Sequence, residues 1–240
     1  MLASLLKPKD RSAARLARIA RWDRPLHGAA DRLRAWVNML AVDHGIFRLI
    51  YLNLHKVTPD FWRSAQPTPS QIARMATEGL KTIVNLRGGR EYGSWPLERE
   101  ACDAHGIALE DFVVRSRGAP DREGLLAAAE FFERLRYPVL VHCKSGADRA
   151  GFMAALYLIV HEKRPVSEAI GQLALRYGHF RFAKTGILDA FFEMYLRDGE
   201  ARGISFLDWV RDHYDADRLD AAFKPGFFSD LLVDKIIHRE

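Results

Sequence analysis

Apolar and polar positions along the chain form two alternating patterns, one typical of buried strands and one typical of helices. Short apolar runs predict strands at 54–63, 82–86, 107–114 and 139–142. The first of these segments is either a single strand or a pair of strands. Between and after these runs, apolar residues recur at helical spacing, at 68–80, 96–105, 121–135 and 150–159. This alternation predicts an α/β fold, with a mostly parallel central sheet flanked by helices on both faces.

The beginnings and ends of some elements are also marked. Thr68, Pro69 and Gln71 form the pattern of a helix N-cap, a proline in the first turn and a capping box. After residue 160 only helical patterns remain, so the C-terminal part is expected to be helical, with helices at 166–177, 187–197, 206–214 and 228–238. We therefore divide the chain into a helical arm, residues 1–40, and one domain, residues 41–240.

Residues 142–151, HCKSGADRAG, connect a predicted strand to a predicted helix and contain the chain's most informative chemistry. Backbone N–H groups from Lys144 to Arg149 lie at a helix start, where they lack helical partners. Pointing inward, they would form an anion site, and the helix dipole would strengthen it. The loop is therefore expected to bind a tetrahedral dianion such as phosphate.

Cys143 and Arg149 stand at the two ends of this loop. A thiolate is a strong nucleophile, and a helix N-terminus beside a cation stabilises it. An arginine presents a rigid fork of donors that can bridge two phosphoryl oxygens. Together they suit transfer of a phosphoryl group to sulfur and then to water. The alternative, a buried structural cysteine beside a surface arginine, explains the residues singly but not their spacing.

This segment resembles the signature loop of the cysteine-dependent protein tyrosine and dual-specificity phosphatase superfamily. Segments 61–67, 82–88 and 142–151 occur in the order and spacing of its compact bacterial dual-specificity-like branch. The resemblance implies a metal-independent phosphatase without a cofactor, in which Cys143 is the nucleophile and Arg149 binds phosphate. It also implies that the remaining loop positions surround the phosphate: Lys144, Ser145, Gly146, Ala147 and Ala150.

The chain departs from that family at two positions. The family's general acid, an aspartate on a loop before the cysteine, has no counterpart, because residues 114–120 contain no carboxylate. Asp148, inside the loop and next to Arg149, is the leading candidate, with Asp111 and Asp121 as alternatives. Many relatives have Ser or Thr where Ala150 stands, so breakdown of the phosphocysteine intermediate is expected to be slower.

Further polar residues are expected around the loop. His142 is interpreted as a structural histidine that orients the loop. Arg87 and Arg90 follow a strand at the sheet edge where ligands bind in such folds, although Arg87 has the alternative of pairing with a local carboxylate. Arg181 and Lys184 are the basic residues of a second loop that could face the substrate.

Charge is concentrated at the N-terminus. Of the net charge of +5, residues 1–35 carry +6, from nine Lys or Arg and three Asp, which leaves −1 for the remainder. The arm therefore either contacts an anionic membrane surface or is a solvated helix packed beside the domain. A nucleic-acid partner is not expected, because Trp22 is the arm's only aromatic residue before position 36.

Composition indicates a cytoplasmic protein that could associate peripherally with the inner face of the membrane. Only two cysteines are present, mean hydropathy is −0.18, and no apolar run reaches the ~18 residues of a membrane span. The expected function is tyrosine or dual-specificity phosphatase activity on a phosphorylated protein. The alternatives are a phosphorylated lipid headgroup as substrate, a catalytically weak phosphate-binding scaffold, and, more distantly, a sulfurtransferase or arsenate reductase.

Overall fold

A five-stranded sheet organises the chain in the computed structural model, which describes residues 8–223. Its strands are β1 His55–Lys56, β2 Phe61–Ala65, β3 Thr82–Asn85, β4 Ala108–Asp111 and β5 Val139–Cys143. The spatial order is β1-β2-β5-β3-β4, with β1 antiparallel to β2 and every other pair parallel. The predicted mostly parallel α/β fold is therefore confirmed, and β5 lies at the centre of the sheet.

Eleven α-helices accompany this sheet within residues 8–223. In chain order they are α1 Pro8–Trp22, α2 Gly28–Val37, α3 Gly45–Ile50, α4 Pro69–Thr77, α5 Ser94–His105, α6 Arg122–Arg134, α7 Asp148–Val160, α8 Val166–Ala169, α9 Ile187–Asp198, α10 Phe206–Asp212 and α11 Ala216–Ala222. A single π-helical segment, Asn38–Val42, continues α2. The helix predicted at 228–238 lies outside the described residues.

Local sequence signals placed several element boundaries correctly. Segment 54–63 forms the β1–β2 hairpin, which was one of its two predicted forms. Thr68 and Gln71 form the predicted capping box at the start of α4, with Pro69 in its first turn. Asp121 caps α6 by accepting a hydrogen bond from the Gly124 amide at 2.7 Å.

The continuous helix predicted over 166–177 is wrong. That segment consists of the four-residue α8 and two separate 3₁₀ turns, at Ile170–Gln172 and Leu175–Tyr177. Gly178 adopts a left-handed conformation, φ 80°, which ends the second turn. At the end of the first turn, the Arg63 guanidinium donates a 2.5 Å hydrogen bond to the Gln172 carbonyl.

Helix α7 is the centre of the main hydrophobic core. All of its residues are buried except Arg149, which explains why its sequence is apolar on every side. Phe61 of β2, Phe132 of α6 and Tyr157 of α7 pack their rings together, with centroid distances of 4.0 Å from Phe61 to Tyr157 and 5.5 Å from Phe132 to Tyr157. This packing fixes α7, and therefore the loop before it, against the sheet.

Helices α1 and α2 lie against the domain rather than apart from it. Trp22 and Leu26 are buried with Leu97 of α5 in a separate small cluster. Arg32 also pairs with Glu100 of α5 at 3.1 Å. These contacts favour the packed alternative for the arm. Within residues 8–223, no helix combines the length and apolar character needed to cross a bilayer.

Candidate active site

The predicted phosphate loop joins the central strand to the buried helix, as expected. Cys143 is the last residue of β5, where it lies opposite Ala65 of β2, and Asp148 is the first residue of α7. Cys143 is buried, and Arg149 is half-buried one residue into the helix. The loop between them occupies the carboxyl edge of the sheet, where ligands bind in folds of this kind.

Gly146 allows the loop to turn tightly against β2. Its φ is +73°, a left-handed conformation that glycine adopts without strain. A Cβ at this position would lie 2.5 Å from the Ala65 amide nitrogen, which is backbone and cannot move aside easily. The loop therefore requires glycine here for both conformation and space.

Three successive carbonyl oxygens of the loop are bonded by side chains outside it. Arg63 donates to the Gly146 and Ala147 carbonyls at 2.8 and 2.9 Å, and Asn53 donates to the Ser145 carbonyl at 3.0 Å. In a trans peptide the C=O and the following N–H point in opposite directions. Holding the carbonyls on one side therefore turns the next N–H groups toward the other side, where an anion would bind.

Arg63 is fully buried although it carries a charge, and partners of its two terminal nitrogens compensate part of the cost of burial. Its second nitrogen donates to the carbonyl and side-chain oxygens of Gln172, and its guanidinium lies 4.2 Å from the Tyr177 ring centroid. Burial lowers the pKa of Arg63 to about 10, which still leaves it charged at neutral pH. The residue thus joins three segments: β2, the loop and residues 172–177.

Asp148 belongs to a second buried set of contacts. Its carboxylate lies 2.7 Å from His179 Nδ1, and Asp189 of α9 lies 2.6 Å from Nε2 of the same ring. Burial opposes the charge on His179, but these two hydrogen bonds prevail and raise its pKa to about 9. At neutral pH the ring is therefore protonated and donates to both carboxylates.

His142, expected to be a structural histidine, is fully buried beside Glu98 of α5. Its Nε2 lies 2.7 Å from Glu98 Oε1, and both side chains are fully buried. Gln66 donates to the other Glu98 oxygen at 2.7 Å. These contacts fix the strand immediately before Cys143.

The structure contradicts the substrate-facing placement of Arg87. Its guanidinium is 3 % exposed and makes a two-point ion pair with buried Asp43, at 2.8 and 2.9 Å. Arg48 and Ser94 also bond Asp43. Burial alone would raise the pKa of this carboxyl, but Arg87 and Arg48 hold it well below its usual range. Arg87 therefore pairs with a carboxylate, that of Asp43, which is the alternative to a substrate-facing position.

Arg90 is also engaged away from the loop. It pairs with Asp111 at 2.7 Å and with Asp23 of the segment after α1 at 3.1 Å. Asp111, one of the alternative acids, is therefore an ion-pair partner, and Asp121 is the cap of α6. Neither arrangement involves the loop, whereas Asp148 lies within it.

The second basic loop contributes a residue that the sequence analysis did not select. Arg181 pairs with Glu193 of α9, and Lys184 is the exposed first residue of a 3₁₀ turn whose other two residues are buried. His179, from the same loop, is the side chain that reaches Asp148. Arg63 was missed as well, although a charged residue within a buried strand, FWRSA, is a signal that could have revealed it.

Comparison with known proteins agrees with this geometry. The family described as "DSP-PTPase phosphatase fused to NAD+ Kinase" matches residues 52–187, which include the hairpin, the loop and α7. The chain therefore belongs to this family of dual-specificity and tyrosine phosphatases.

Two curated relatives carry the name dual specificity protein phosphatase TpbA, from two strains of Pseudomonas aeruginosa. Each is 32% identical over 146 residues, covering 57% of this chain and 57% of the relative, so the match spans little more than half of either protein. A crystal structure of P. aeruginosa TpbA aligns with 71% of this chain and 90% of its own, at a TM-score of 0.49 and 21% identity. A crystal structure of Tk-PTP in its active form aligns with 60% of this chain and 98% of its own, at a TM-score of 0.47 and 19% identity.

The buried His179 contacts predict a pH-dependent loss of stability in His179→Gln. Because the pKa rises from 6.5 when unfolded to about 9 when folded, the ionic stabilisation is complete below pH 6.5 and disappears as pH rises through 9. The free energy of unfolding of the variant should be lower than that of the natural protein by roughly 2–3 kcal/mol at pH 6, and this difference should be smaller at pH 10. Urea unfolding at both pH values measures it.

His105→Gln is the matched control, because His105 is exposed at the end of α5. It should change stability little at either pH. A His179→Gln deficit that is equally large at pH 6 and pH 10 would contradict the ionic account of these contacts.

Proposed function

We propose that the protein hydrolyses phosphate monoesters through a phosphocysteine intermediate, as a tyrosine or dual-specificity phosphatase. The observation that carries the proposal is the loop with Cys143 and Arg149 at its ends and its carbonyls bonded from outside by Arg63 and Asn53. Family membership supports the same reaction class. The names of the curated relatives favour a phosphorylated protein as substrate.

The first step transfers the phosphoryl group to sulfur. The Cys143 thiolate attacks phosphorus, forming a sulfur–phosphorus bond while the bond from phosphorus to the leaving oxygen breaks. The loop N–H groups and the Arg149 guanidinium hold the equatorial oxygens as charge spreads over them. In the second step water attacks phosphorus and the sulfur–phosphorus bond breaks, which regenerates the Cys143 thiolate and releases inorganic phosphate carrying the protons of the water.

The leaving oxygen needs a proton, and Asp148 with His179 is the pair proposed to supply it. Asp148 is the one of the three candidate acids that lies in the loop. Its side chain is nearly buried, at 7 % exposure of the residue, and its carboxylate lies 2.7 Å from His179 Nδ1, which is protonated at neutral pH. The proposed route starts from the proton on His179 Nδ1, which moves to the Asp148 carboxylate and from there to the leaving oxygen, leaving the His179 ring neutral. Asp189 holds the opposite ring nitrogen and keeps the imidazole aligned.

Cys143→Ser should abolish turnover, since a serine hydroxyl lacks the nucleophilicity of a thiolate. The natural protein should hydrolyse phenyl phosphate in the presence of EDTA, and the variant should lose at least about 10³-fold in kcat. Cys102→Ala is the control, because Cys102 is packed in α5 and burial raises the pKa of its thiol. Undiminished activity of Cys143→Ser would refute the mechanism, and phosphate binding without any turnover by the natural protein would establish a scaffold instead.

Asp148→Asn should reduce kcat by roughly 10²–10⁴ on phenyl phosphate, whose leaving group needs a proton, and far less on an activated nitrophenyl ester. His179→Gln should show the same dependence on leaving group to a smaller degree. Asp111→Asn and Asp121→Asn serve as controls, and both should leave the ratio between the two substrates unchanged. A larger leaving-group effect from either control would move the acid to that residue.

A further inference from the structure

A groove of about 960 Å³ opens beside the phosphate loop. Lys144 and Ser145 of the loop form part of its lining, so anything in the groove lies next to the bound phosphate. Its other walls come from α3 and the residues that follow it, and from the 3₁₀ turn Leu175–Tyr177. The proposed reaction makes use of the loop but not of this groove.

Large apolar side chains at the groove are exposed to an unusual degree. Phe47, Ile50 and Tyr51 on one wall are 69%, 85% and 60% exposed, and Leu175 on the opposite wall is 68% exposed. We call these four residues the apolar rim. Single exposed apolar residues are ordinary on protein surfaces, but a group of large ones around one opening marks an interaction site.

Charge around the apolar rim has one sign. Lys144 and exposed Arg176 lie in the groove wall. Among the described residues that line the groove, the only carboxylate is Asp43, which is fully buried and paired with Arg48 and Arg87. Among the described lining residues the exposed charge is therefore positive, and this charge is complementary to an anionic partner.

The two walls are held in fixed relation to the phosphate loop. Asn53 bonds both the Ser145 carbonyl of the loop and the Tyr177 carbonyl of the opposite wall, at 3.0 and 2.9 Å. His179 bonds Asp148 just beyond that wall. The apolar rim and the phosphate loop thus border the same groove.

We infer that this face docks on an anionic lipid bilayer, with the apolar rim entering the interface and the basic residues contacting lipid phosphates. This inference rests on the proposed phosphatase function, because it states where the substrate is found: the phosphate monoester would be carried at a membrane surface. The groove then receives the apolar part of such a substrate while its phosphate occupies the loop.

The shape of α3 favours a bilayer over a peptide. A peptide held in the groove would leave Ile46 and Leu49 uncovered, because neither lines the groove although both are exposed on the same short helix as Phe47 and Ile50. Apolar side chains that protrude in several directions need a continuous apolar medium, which the acyl boundary of a bilayer provides. A tyrosine beside them suits the same boundary, since its ring is apolar and its hydroxyl polar.

Vesicle co-sedimentation of the full chain tests the docking without requiring turnover. The probes are vesicles of phosphatidylcholine alone and of phosphatidylcholine with equal phosphatidylglycerol. Binding should be restricted to the anionic vesicles and should weaken as salt rises. Phe47→Ser/Ile50→Ser, in which two exposed side chains are shortened, should weaken binding at least about tenfold.

Leu16→Ser/Val113→Ser is the matched control, because both residues are 64% exposed and neither lines the groove. It should bind as the natural protein does. In a separate activity assay, phosphatidic acid is added to the anionic vesicles as a substrate. The groove variant should lose more of its rate on this lipid than on phenyl phosphate. If no phosphatase activity exists at all, co-sedimentation still decides the docking.

Three results would overturn the inference. The first is equal binding to neutral and anionic vesicles, or equal binding by the groove variant and the natural protein. The second is no vesicle binding together with a groove-dependent affinity for a phosphotyrosine peptide flanked by apolar residues, which would assign the face to proteins. The third is a dimer in sedimentation equilibrium that the groove variant dissociates, which would assign the face to a second copy of the chain.

Discussion

The hydrogen bonds from buried Arg63 to the Gly146 and Ala147 carbonyls are the interaction on which the site depends. A loop that binds an anion must turn its N–H groups inward, and this leaves its carbonyls facing protein that excludes water. Unpaired, each buried carbonyl would cost about 1–3 kcal/mol. A guanidinium satisfies two of them with one rigid group, and Gln172 and Tyr177 compensate part of the cost of its own burial.

The same arginine also holds the irregular segment after α7. It donates to the Gln172 carbonyl, which lies at the end of the first of two 3₁₀ turns. That irregular path brings His179 to Asp148 and exposes Leu175 beside the groove. The loop, the proposed proton supply and one wall of the groove are therefore connected through this segment.

Sequence patterns predicted the parts of this structure that local physics determines. The strand before Cys143, the apolar α7 and the capping box of α4 depend on neighbours in sequence, and they were found within a few residues. Arg87, Arg63 and His179 depend on partners many positions away: Asp43, the loop carbonyls and Asp148. Periodicity carries no information about such pairs, so one of these residues was misplaced and two were not selected.

The most direct test of the central claim is the Kd for inorganic phosphate in Arg63→Met, measured by titration calorimetry beside Arg74→Met, an exposed arginine of α4. The account predicts at least about tenfold weaker binding for Arg63→Met and no change for Arg74→Met. Arg63→Lys keeps the charge but has one nitrogen in place of the two that bond the loop and Gln172, so it should recover only part of the loss, and it serves if the first variant does not fold. Phosphate binding as tight as that of the natural protein, in a folded Arg63 variant, would contradict the account.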